Sequence, residues 1–154
     1  MFDKGELWEF LIKAKKRGYA ADDSALVTKD GRGATTILFK EGDWEYQDEY
    51  YGGEPFGGSE KIFYKGGVVW MMVYYGRVYE EGDTNEIYPF LRRALLEIPH
   101  MYPFRGPTDL KEGDLRYENI PQGSIDDFSG SEYIFKGQER VYSARYIGGF
   151  IDQR

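Results

Sequence analysis

The sequence Phe56-Gly-Gly-Ser-Glu-Lys-Ile-Phe63 is the most informative stretch of this chain, because the chain contains a second version of it. The second version is Phe128-Ser-Gly-Ser-Glu-Tyr-Ile-Phe135, which is identical at six of its eight positions. The glycines indicate a turn or bulge, and the residues that follow are typical of a strand. Repetition of such a long block indicates that a larger structural unit has been copied.

Two further blocks recur in the same order as this one. The turn sequence Lys40–Asp43 returns unchanged at 111–114, and the helical opening at 6–14 returns in a related form at 86–94. Because the order is preserved, we predict a tandem duplication. The predicted units are repeat one at 1–79 and repeat two at 80–154, within a single compact domain of 1–154.

Apolar residues at helical spacing predict an amphipathic helix near the start of each repeat. In repeat one the stripe follows Asp3, a natural N-cap, and Gly18 is a natural stop. In repeat two Asp83 takes the capping position, and Pro89 predicts that the helix begins later or bends. The stripes are Leu7, Phe10, Leu11 and Ala14 in the first helix and Ile87, Phe90, Leu91 and Ala94 in the second.

After each helix the apolar period changes to two, which is typical of half-buried strands. The predicted strands are 35–40, 44–51, 59–64 and 68–75 in repeat one, and 115–120, 131–135 and 140–147 in repeat two. Each repeat is therefore one helix followed by three or four antiparallel strands. We predict an α+β fold in which the helices pack on a curved antiparallel sheet, cystatin-like or similar, with pseudo-twofold symmetry.

The two repeats also differ, and we expect function where they differ. Repeat one holds nine extra residues within 15–39, which we interpret either as a solvated surface loop or as a binding flap. In the last predicted hairpin, Trp70-Met71-Met72 of repeat one corresponds in position to Tyr142-Ser143-Ala144 of repeat two. These positions are candidates for specialisation.

Composition limits the classes of function. The net charge of −7 repels a phosphate backbone, so we expect no direct nucleic-acid partner. With no cysteine and a single histidine, the chain predicts neither a metal site nor a cofactor. The sequence has no apolar run of membrane-spanning length and begins without a visible signal peptide, which predicts no membrane association and a cytoplasmic location.

Aromatic residues are unusually abundant, with 14 Tyr, 10 Phe and 3 Trp. Aromatic walls with a few polar groups are typical of small-molecule pockets, although sheet cores and dimer faces use them too. In the pocket hypothesis, Arg77 and Arg145 offer charge to an anionic group, and Asp48 and Glu60 are polar members. The predicted walls are Trp44, Tyr46, Trp70, Tyr74 and Tyr75.

The carboxylates Glu60 and Glu132 occupy matching places in the two repeats. One interpretation is structural, with each carboxylate accepting backbone hydrogen bonds at a turn. The alternative is a small enzyme in which these two carboxylates, together with Asp43 and Asp114, divide acid and base work. A third possibility is a structural homodimer, in which tyrosine-rich strands pair at a sheet edge.

Three stretches, at 41–53, 56–60 and 69–77, resemble an uncharacterised prokaryotic domain family that occurs alone and behind XRE-type helix-turn-helix domains. The resemblance extends over most of the chain, from the first helix to 147–150. It implies a sensor or interaction role and assigns no catalytic residue, because the family has no established chemistry. Since little sequence precedes the first helix, we expect a stand-alone copy that does not touch DNA.

Together these observations predict a non-catalytic domain that binds a small molecule or a protein partner. An acid/base enzyme and a homodimerisation module are the alternatives. A closed apolar cleft between the repeats, with Arg77 or Arg145 at its mouth, is the arrangement expected for ligand binding.

Overall fold

The protein folds into one nine-stranded antiparallel sheet with two helices. The structure is a computed structural model, and it describes residues 1–19 and 25–153, with only the backbone described for Tyr19. In chain order the elements are α1 (Lys4–Tyr19), β1 (Leu26–Lys29), β2 (Ala34–Glu41), β3 (Trp44–Tyr51), β4 (Phe56–Tyr64), β5 (Gly67–Val78), α2 (Thr84–Leu96), β6 (Asp109–Glu112), β7 (Leu115–Ser124), β8 (Asp127–Lys136) and β9 (Glu139–Phe150). The strand order across the sheet is β1-β2-β3-β4-β5-β9-β8-β7-β6.

The predicted α+β class is confirmed, and the sheet is larger than the sequence indicated. Every predicted strand is present, and β3 has the predicted bounds. Two strands that were not predicted, β1 and β6, form the two edges of the sheet. Each has only four residues, too few to show a clear apolar period, and all four side chains of β1 are exposed. Part of the nine-residue excess therefore forms an edge strand, while residues 20–24 lie outside the described residues.

Both helices begin at the predicted aspartate caps. The backbone N–H of Glu6 donates to Asp3 Oδ1 at 2.9 Å, and that of Asn85 donates to Asp83 Oδ1 at the same distance. These bonds satisfy N–H groups that have no partner within the helix. Pro89 lies inside α2 without delaying its start at Thr84.

Strands β5 and β9 pair at the centre of the sheet and join residues 1–79 to residues 80–154. Tyr74 lies directly opposite Tyr146, and the neighbouring pairs are Val73 with Ile147 and Tyr75 with Arg145. The two predicted repeats therefore share one continuous sheet.

One face of this sheet is covered and the other is open to solvent. Successive side chains on a strand point to opposite faces, so Trp70, Met72 and Tyr74 of β5 are buried on the covered face. Val73 and Tyr75 of the same strand lie on the open face and are about half exposed. The covered face packs against both helices and forms two core clusters, one under α1 and one under α2.

Two glycines conserved between the repeated blocks serve this packing. A Cβ atom added at Gly58 would lie 2.6 Å from the hydroxyl oxygen of Tyr74, and one added at Gly130 would lie 2.1 Å from that of Tyr146. Each tyrosine side chain crosses the neighbouring strand above a glycine. A residue with a side chain at that position would collide with the tyrosine. This close approach lets both hydroxyls reach polar partners two strands away.

Candidate functional site

A buried ion pair lies between α1 and the sheet. Lys15 Nζ of α1 is 2.9 Å from Glu60 Oε2 of β4, and neither side chain is exposed to solvent. Tyr46 donates a hydrogen bond to Glu60 Oε1, and Lys15 also donates to the backbone oxygen of Phe104. The pair is thus held by strand, helix and loop groups together.

Asp48 adds a second carboxylate to this region. It lies opposite Glu60 in the β3–β4 pairing, and the hydroxyl of Tyr74 donates to its Oδ1 at 2.6 Å. We call Glu60, Lys15, Tyr46, Asp48 and Tyr74 the Glu60 cluster.

A corresponding cluster surrounds Glu132 on β8. Arg105 binds this carboxylate with both ends of its guanidinium, at 2.6 Å from Nη2 to Oε1 and 3.2 Å from Nε to Oε2. Tyr117 and Tyr142 donate to the same carboxylate at 2.5 and 2.6 Å. Glu132 has no exposed surface and Arg105 is only 4% exposed, so the pair is almost completely desolvated.

Asn119 occupies the place in this second cluster that Asp48 occupies in the first. It lies opposite Glu132 in the β7–β8 pairing, and Tyr146 donates to its Oδ1 at 2.7 Å. Its Nδ2 group donates to the backbone oxygen of Gly106 at 2.9 Å. We call Glu132, Arg105, Tyr117, Tyr142, Asn119 and Tyr146 the Glu132 cluster.

The pKa values of three buried groups, Asp48, Glu132 and Lys15, are shifted in different directions and for different reasons. Burial and the nearby charge of Glu60 raise the pKa of Asp48 to about 7, although the bond from Tyr74 and the charges of Arg105 and Lys15 oppose this. Burial also acts to raise the pKa of Glu132, but the charge and hydrogen bonds of Arg105 outweigh it and hold that pKa below its usual value. Burial lowers the pKa of Lys15, against the attraction of Glu60.

These contacts correct the first interpretation of the paired glutamates. The structural interpretation predicts backbone donors, but Glu60 and Glu132 accept hydrogen bonds from tyrosine hydroxyls and cationic side chains. Because both have no exposed surface, a substrate reaches neither without opening the core. Asp43 and Asp114 lie apart from both clusters, in exposed turns. Their backbone oxygens accept hydrogen bonds from the backbone N–H groups of Lys65 and Gly137, respectively.

The open face of the sheet carries a depression of about 470 Å³ over strands β5, β9, β8 and β7. Its lining residues are Val73, Tyr74, Tyr75, Ile120, Gln122, Ser129, Gly130, Ser131, Tyr133, Arg145, Tyr146 and Ile147. Four apolar or aromatic members, Val73, Tyr75, Ile120 and Ile147, are between 45% and 62% exposed. Apolar side chains of this size are ordinarily buried, so the depression is an unusual concentration of exposed apolar surface.

The structure does not bring the nine predicted ligand-binding residues together into one site. Tyr75 and Arg145 project into the depression from the open face, whereas Tyr74, also at its border, has its side chain buried on the covered face. Tyr46, Asp48, Glu60 and Trp70 are buried under the helices, Trp44 lines a groove beside α1, and Arg77 is exposed outside the depression, with its guanidinium over the ring of Tyr79.

The nine predicted side chains do not lie together, for a geometric reason. Adjacent residues on a regular strand point to opposite faces, so Tyr74 and Tyr75 cannot both project into one cavity. The expected closed cleft with an arginine at its mouth is instead an open depression that contains Arg145.

Sequence reasoning missed the two cations of the buried clusters. Lys15 follows Leu11 by four residues and so lies on the apolar stripe of α1, and the matching position in α2 is Leu95. A lysine where the related helix has leucine was a readable signal of a buried charge. Arg105 lies in the loop after α2 and had no such signal.

Two further properties hold for the part of the chain that the structure describes. Within residues 1–19 and 25–153, no group of His, Asp and Glu side chains is arranged to hold a metal ion. Over the same residues, neither helix is long and apolar enough to cross a membrane.

Comparison with known proteins places the chain in a family. Residues 48–151 match the family described as Domain of unknown function (DUF5680), and the match begins at Asp48 and includes Glu60, Glu132 and Arg145. No curated protein and no solved structure matches the chain. The resemblance to an uncharacterised domain family is confirmed, and the association with helix-turn-helix domains stays a prediction. Because the match spans about two thirds of the sequence, this chain belongs to the DUF5680 family.

Proposed function

We propose that this protein is a non-catalytic, sensor-like binding domain that holds a small organic molecule in the depression on its open face. The observation that supports this most directly is the group of exposed apolar residues Val73, Tyr75, Ile120 and Ile147 around a hollow of about 470 Å³. That volume lies within the range of roughly 300–1,000 Å³ typical of small-molecule sites. Covering these side chains with an apolar ligand removes their surface from water, which is favourable.

The two buried clusters support a scaffold role in this proposal. Each carboxylate is neutralised by a cation and bonded by tyrosine hydroxyls, so the clusters orient strands, helix and loop under the sheet. An acid/base enzyme that uses Glu60 and Glu132 is less well supported, because both side chains are completely buried.

The proposal includes a tandem origin for the scaffold, with approximate twofold symmetry about the Tyr74–Tyr146 pair. With the offset of 72 residues, Val73 is equivalent to Arg145 and Tyr75 is equivalent to Ile147. In the sheet Val73 pairs with Ile147 and Tyr75 pairs with Arg145, which is the arrangement that a twofold axis between β5 and β9 produces. A cytoplasmic location without a nucleic-acid partner is also part of the proposal, supported by the net charge of −7 and the absence of cysteine.

The alternative to a small molecule on the open face is a second copy of the chain, which would make the protein a homodimer. The homodimer hypothesis places tyrosine-rich strands at a sheet edge. However, β3, β5 and β9 are each paired on both sides, and neither edge strand, β1 or β6, contains tyrosine. A dimer would therefore form face to face. Sedimentation analysis of the purified chain separates the two cases, because a concentration-dependent dimer blocked by changes at Ile147 would favour a second copy.

The neutral fluorescent probe N-phenyl-1-naphthylamine tests the proposed site. We expect saturable binding to the folded chain, and Ile147→Ser should weaken it about fivefold because half-exposed apolar surface in contact with the probe is lost. Val27→Ser is the matched control, since Val27 is 51% exposed on the distant edge strand β1. Absence of saturable binding, or equal weakening by both changes, would contradict the proposal. Native mass spectrometry of the purified chain would then identify any retained molecule.

A further inference from the structure

We propose that Arg145 is the anion anchor of the depression, so that the ligand is an apolar molecule carrying a single anionic group, such as a carboxylate. This inference rests on the proposed function and specifies its ligand class. It follows from the position of Arg145, from the state of its neighbours and from the charge of the chain.

Arg145 lies in the middle of the depression. On one side it is opposite Tyr75 of β5, and on the other it is opposite Ser131 of β8. It is the only charged residue among the lining residues, which are otherwise apolar, aromatic, amide, hydroxyl or glycine. A ligand in this hollow therefore meets one positive charge surrounded by neutral surface.

The guanidinium of Arg145 is available for a ligand. Within the described part of the chain it forms no ion pair with a carboxylate. The other arginines of the same face have partners, because Arg116 binds Glu118 at 2.7 Å, Arg140 lies 4.1 Å from the ring centre of Tyr133, and Arg77 lies 5.1 Å from that of Tyr79. Arg145 thus differs from these three arginines because, among the described residues, its guanidinium has neither a carboxylate nor an aromatic ring as a partner.

The chemistry of this position selects the anion. A guanidinium presents two parallel N–H donors that match the two oxygens of a carboxylate. Ser129 and Ser131 add hydroxyl groups to the same lining, and Gln122 adds an amide. A single cation on a chain of net charge −7 matches one negative charge, whereas a polyphosphate needs several cations.

The apolar part of the ligand has an equally defined place. Val73 and Ile147 are direct cross-strand neighbours, and Ile120 lies opposite Ser131 on the next strand pair. These side chains form an apolar surface next to the guanidinium. A flat or aliphatic body of a few rings can contact them while its anionic group reaches Arg145.

Two probes that differ chiefly in charge test the anchor. 8-Anilinonaphthalene-1-sulfonate carries one sulfonate, and N-phenyl-1-naphthylamine has nearly the same body without it. We expect Arg145→Gln to weaken sulfonate binding about tenfold, as loss of a charge-assisted interaction does, and to leave the neutral probe unchanged. Arg77→Gln is the matched control, because Arg77 is exposed on the same face outside the lining, and it should change neither affinity.

Ionic strength provides a second measurement on the same proteins. Binding of the sulfonate to the unaltered chain should weaken as salt rises, because the interaction with Arg145 is exposed and screened. The salt dependence should disappear in Arg145→Gln and persist in Arg145→Lys, which keeps the charge. Unchanged thermal unfolding of each variant shows that the probes report on folded protein.

The outcomes separate the two proposals. If the neutral probe binds and Arg145→Gln leaves sulfonate affinity unchanged, the anion anchor is wrong and the binding site stands. If neither probe binds the folded chain, both proposals fail. If Arg77→Gln and Arg145→Gln weaken the sulfonate equally, the effect is general surface charge, and the specific role of Arg145 is overturned.

Discussion

The Glu60 cluster and the Glu132 cluster each bury a glutamate at the equivalent position of a strand, but the charge of that glutamate is neutralised in different ways. Glu60 receives its cation from helix α1, through Lys15, whereas Glu132 receives Arg105 from the loop that follows α2. Position 95 of α2, which matches Lys15, is a leucine. The comparison teaches that a strand framework can be kept while the charge that completes it comes from a different element.

A second difference concerns the residue opposite each glutamate. Asp48 faces Glu60, and Asn119 faces Glu132, and each accepts a hydrogen bond from a tyrosine of the central strand pair. Asn has the shape of a protonated Asp and carries no charge. The Glu132 cluster is therefore a model, within the same molecule, for the Glu60 cluster with Asp48 protonated.

The difference between Trp70 and Tyr142 contributes to the same contrast. Tyr142 donates its hydroxyl to Glu132, whereas Trp70 donates its indole N–H to the backbone oxygen of Ile125 at 3.1 Å. From the sequence, this position is a candidate for a binding specialisation. In the folded chain both side chains are buried, and the change alters the bonding of the core.

The largest expected effect is the loss of the Arg105 side chain. Arg105→Met should lower the free energy of unfolding by about 3–5 kcal/mol, because it leaves the buried Glu132 charge without its cation. Urea unfolding at pH 7 measures the change. Arg93→Met is the control, because Arg93 forms an exposed ion pair with Glu112 at 2.8 Å, whose loss costs about 0–1 kcal/mol. Equal losses in the two variants would contradict a structural role for the Glu132 cluster.

A smaller effect is expected when the second cluster is given the charge of the first. Asn119→Asp should destabilise the chain by about 2 kcal/mol at pH 8, because it places a carboxylate opposite Glu132 and removes the donor to Gly106. The loss should be smaller at pH 5, where the new carboxyl group binds a proton. Asn85→Asp, on an exposed first helical turn, is the matched control. Unfolding curves at both pH values would refute the idea if the loss were the same at each.

The smallest expected effect concerns the proton on Asp48. Its folded pKa of about 7 lies above the value of about 4 for an unfolded aspartate, so the folded state holds the extra proton between these values. The contribution of Asp48 to stability is fully present below about pH 4 and is lost as pH rises toward 7. Relative to the Asp48→Asn variant, the unaltered chain should therefore lose about 1 kcal/mol of stability from pH 6 to pH 7, because the slope falls below its limit of about 1.4 kcal/mol per pH unit near the folded pKa.

Parallel urea titrations of the two proteins measure this difference. Subtracting the free energy of unfolding of the variant at each pH removes the contributions of other groups. One such group is Glu132, whose lowered pKa acts in the opposite direction at acid pH. A stability difference that stays constant from pH 5 to pH 7, or one that favours the unaltered chain at higher pH, would show that Asp48 is ionised in the folded protein throughout.

Much of the fold was predictable because its signals are local. The capping aspartates Asp3 and Asp83 and the alternation along β3 were read correctly from neighbouring residues. The edge strands β1 and β6 were missed because four residues do not establish a period. Of the candidate site, the sequence predicts Tyr75 and Arg145 but not Val73, Ile120 and Ile147, because nothing in a sequence marks which face of a sheet stays uncovered.

The sequence alone determined the element types, the repeated blocks and the order of strands along the chain, because these depend on periodicity, caps and turns within a few residues. The tertiary structure determined which face of each strand is covered and which cation meets each buried glutamate. Those outcomes depend on contacts between residues far apart in the chain, such as the 27 positions that separate Arg105 from Glu132. The same repeated sequence block therefore ends in two differently completed clusters, because distant segments supply the missing charge.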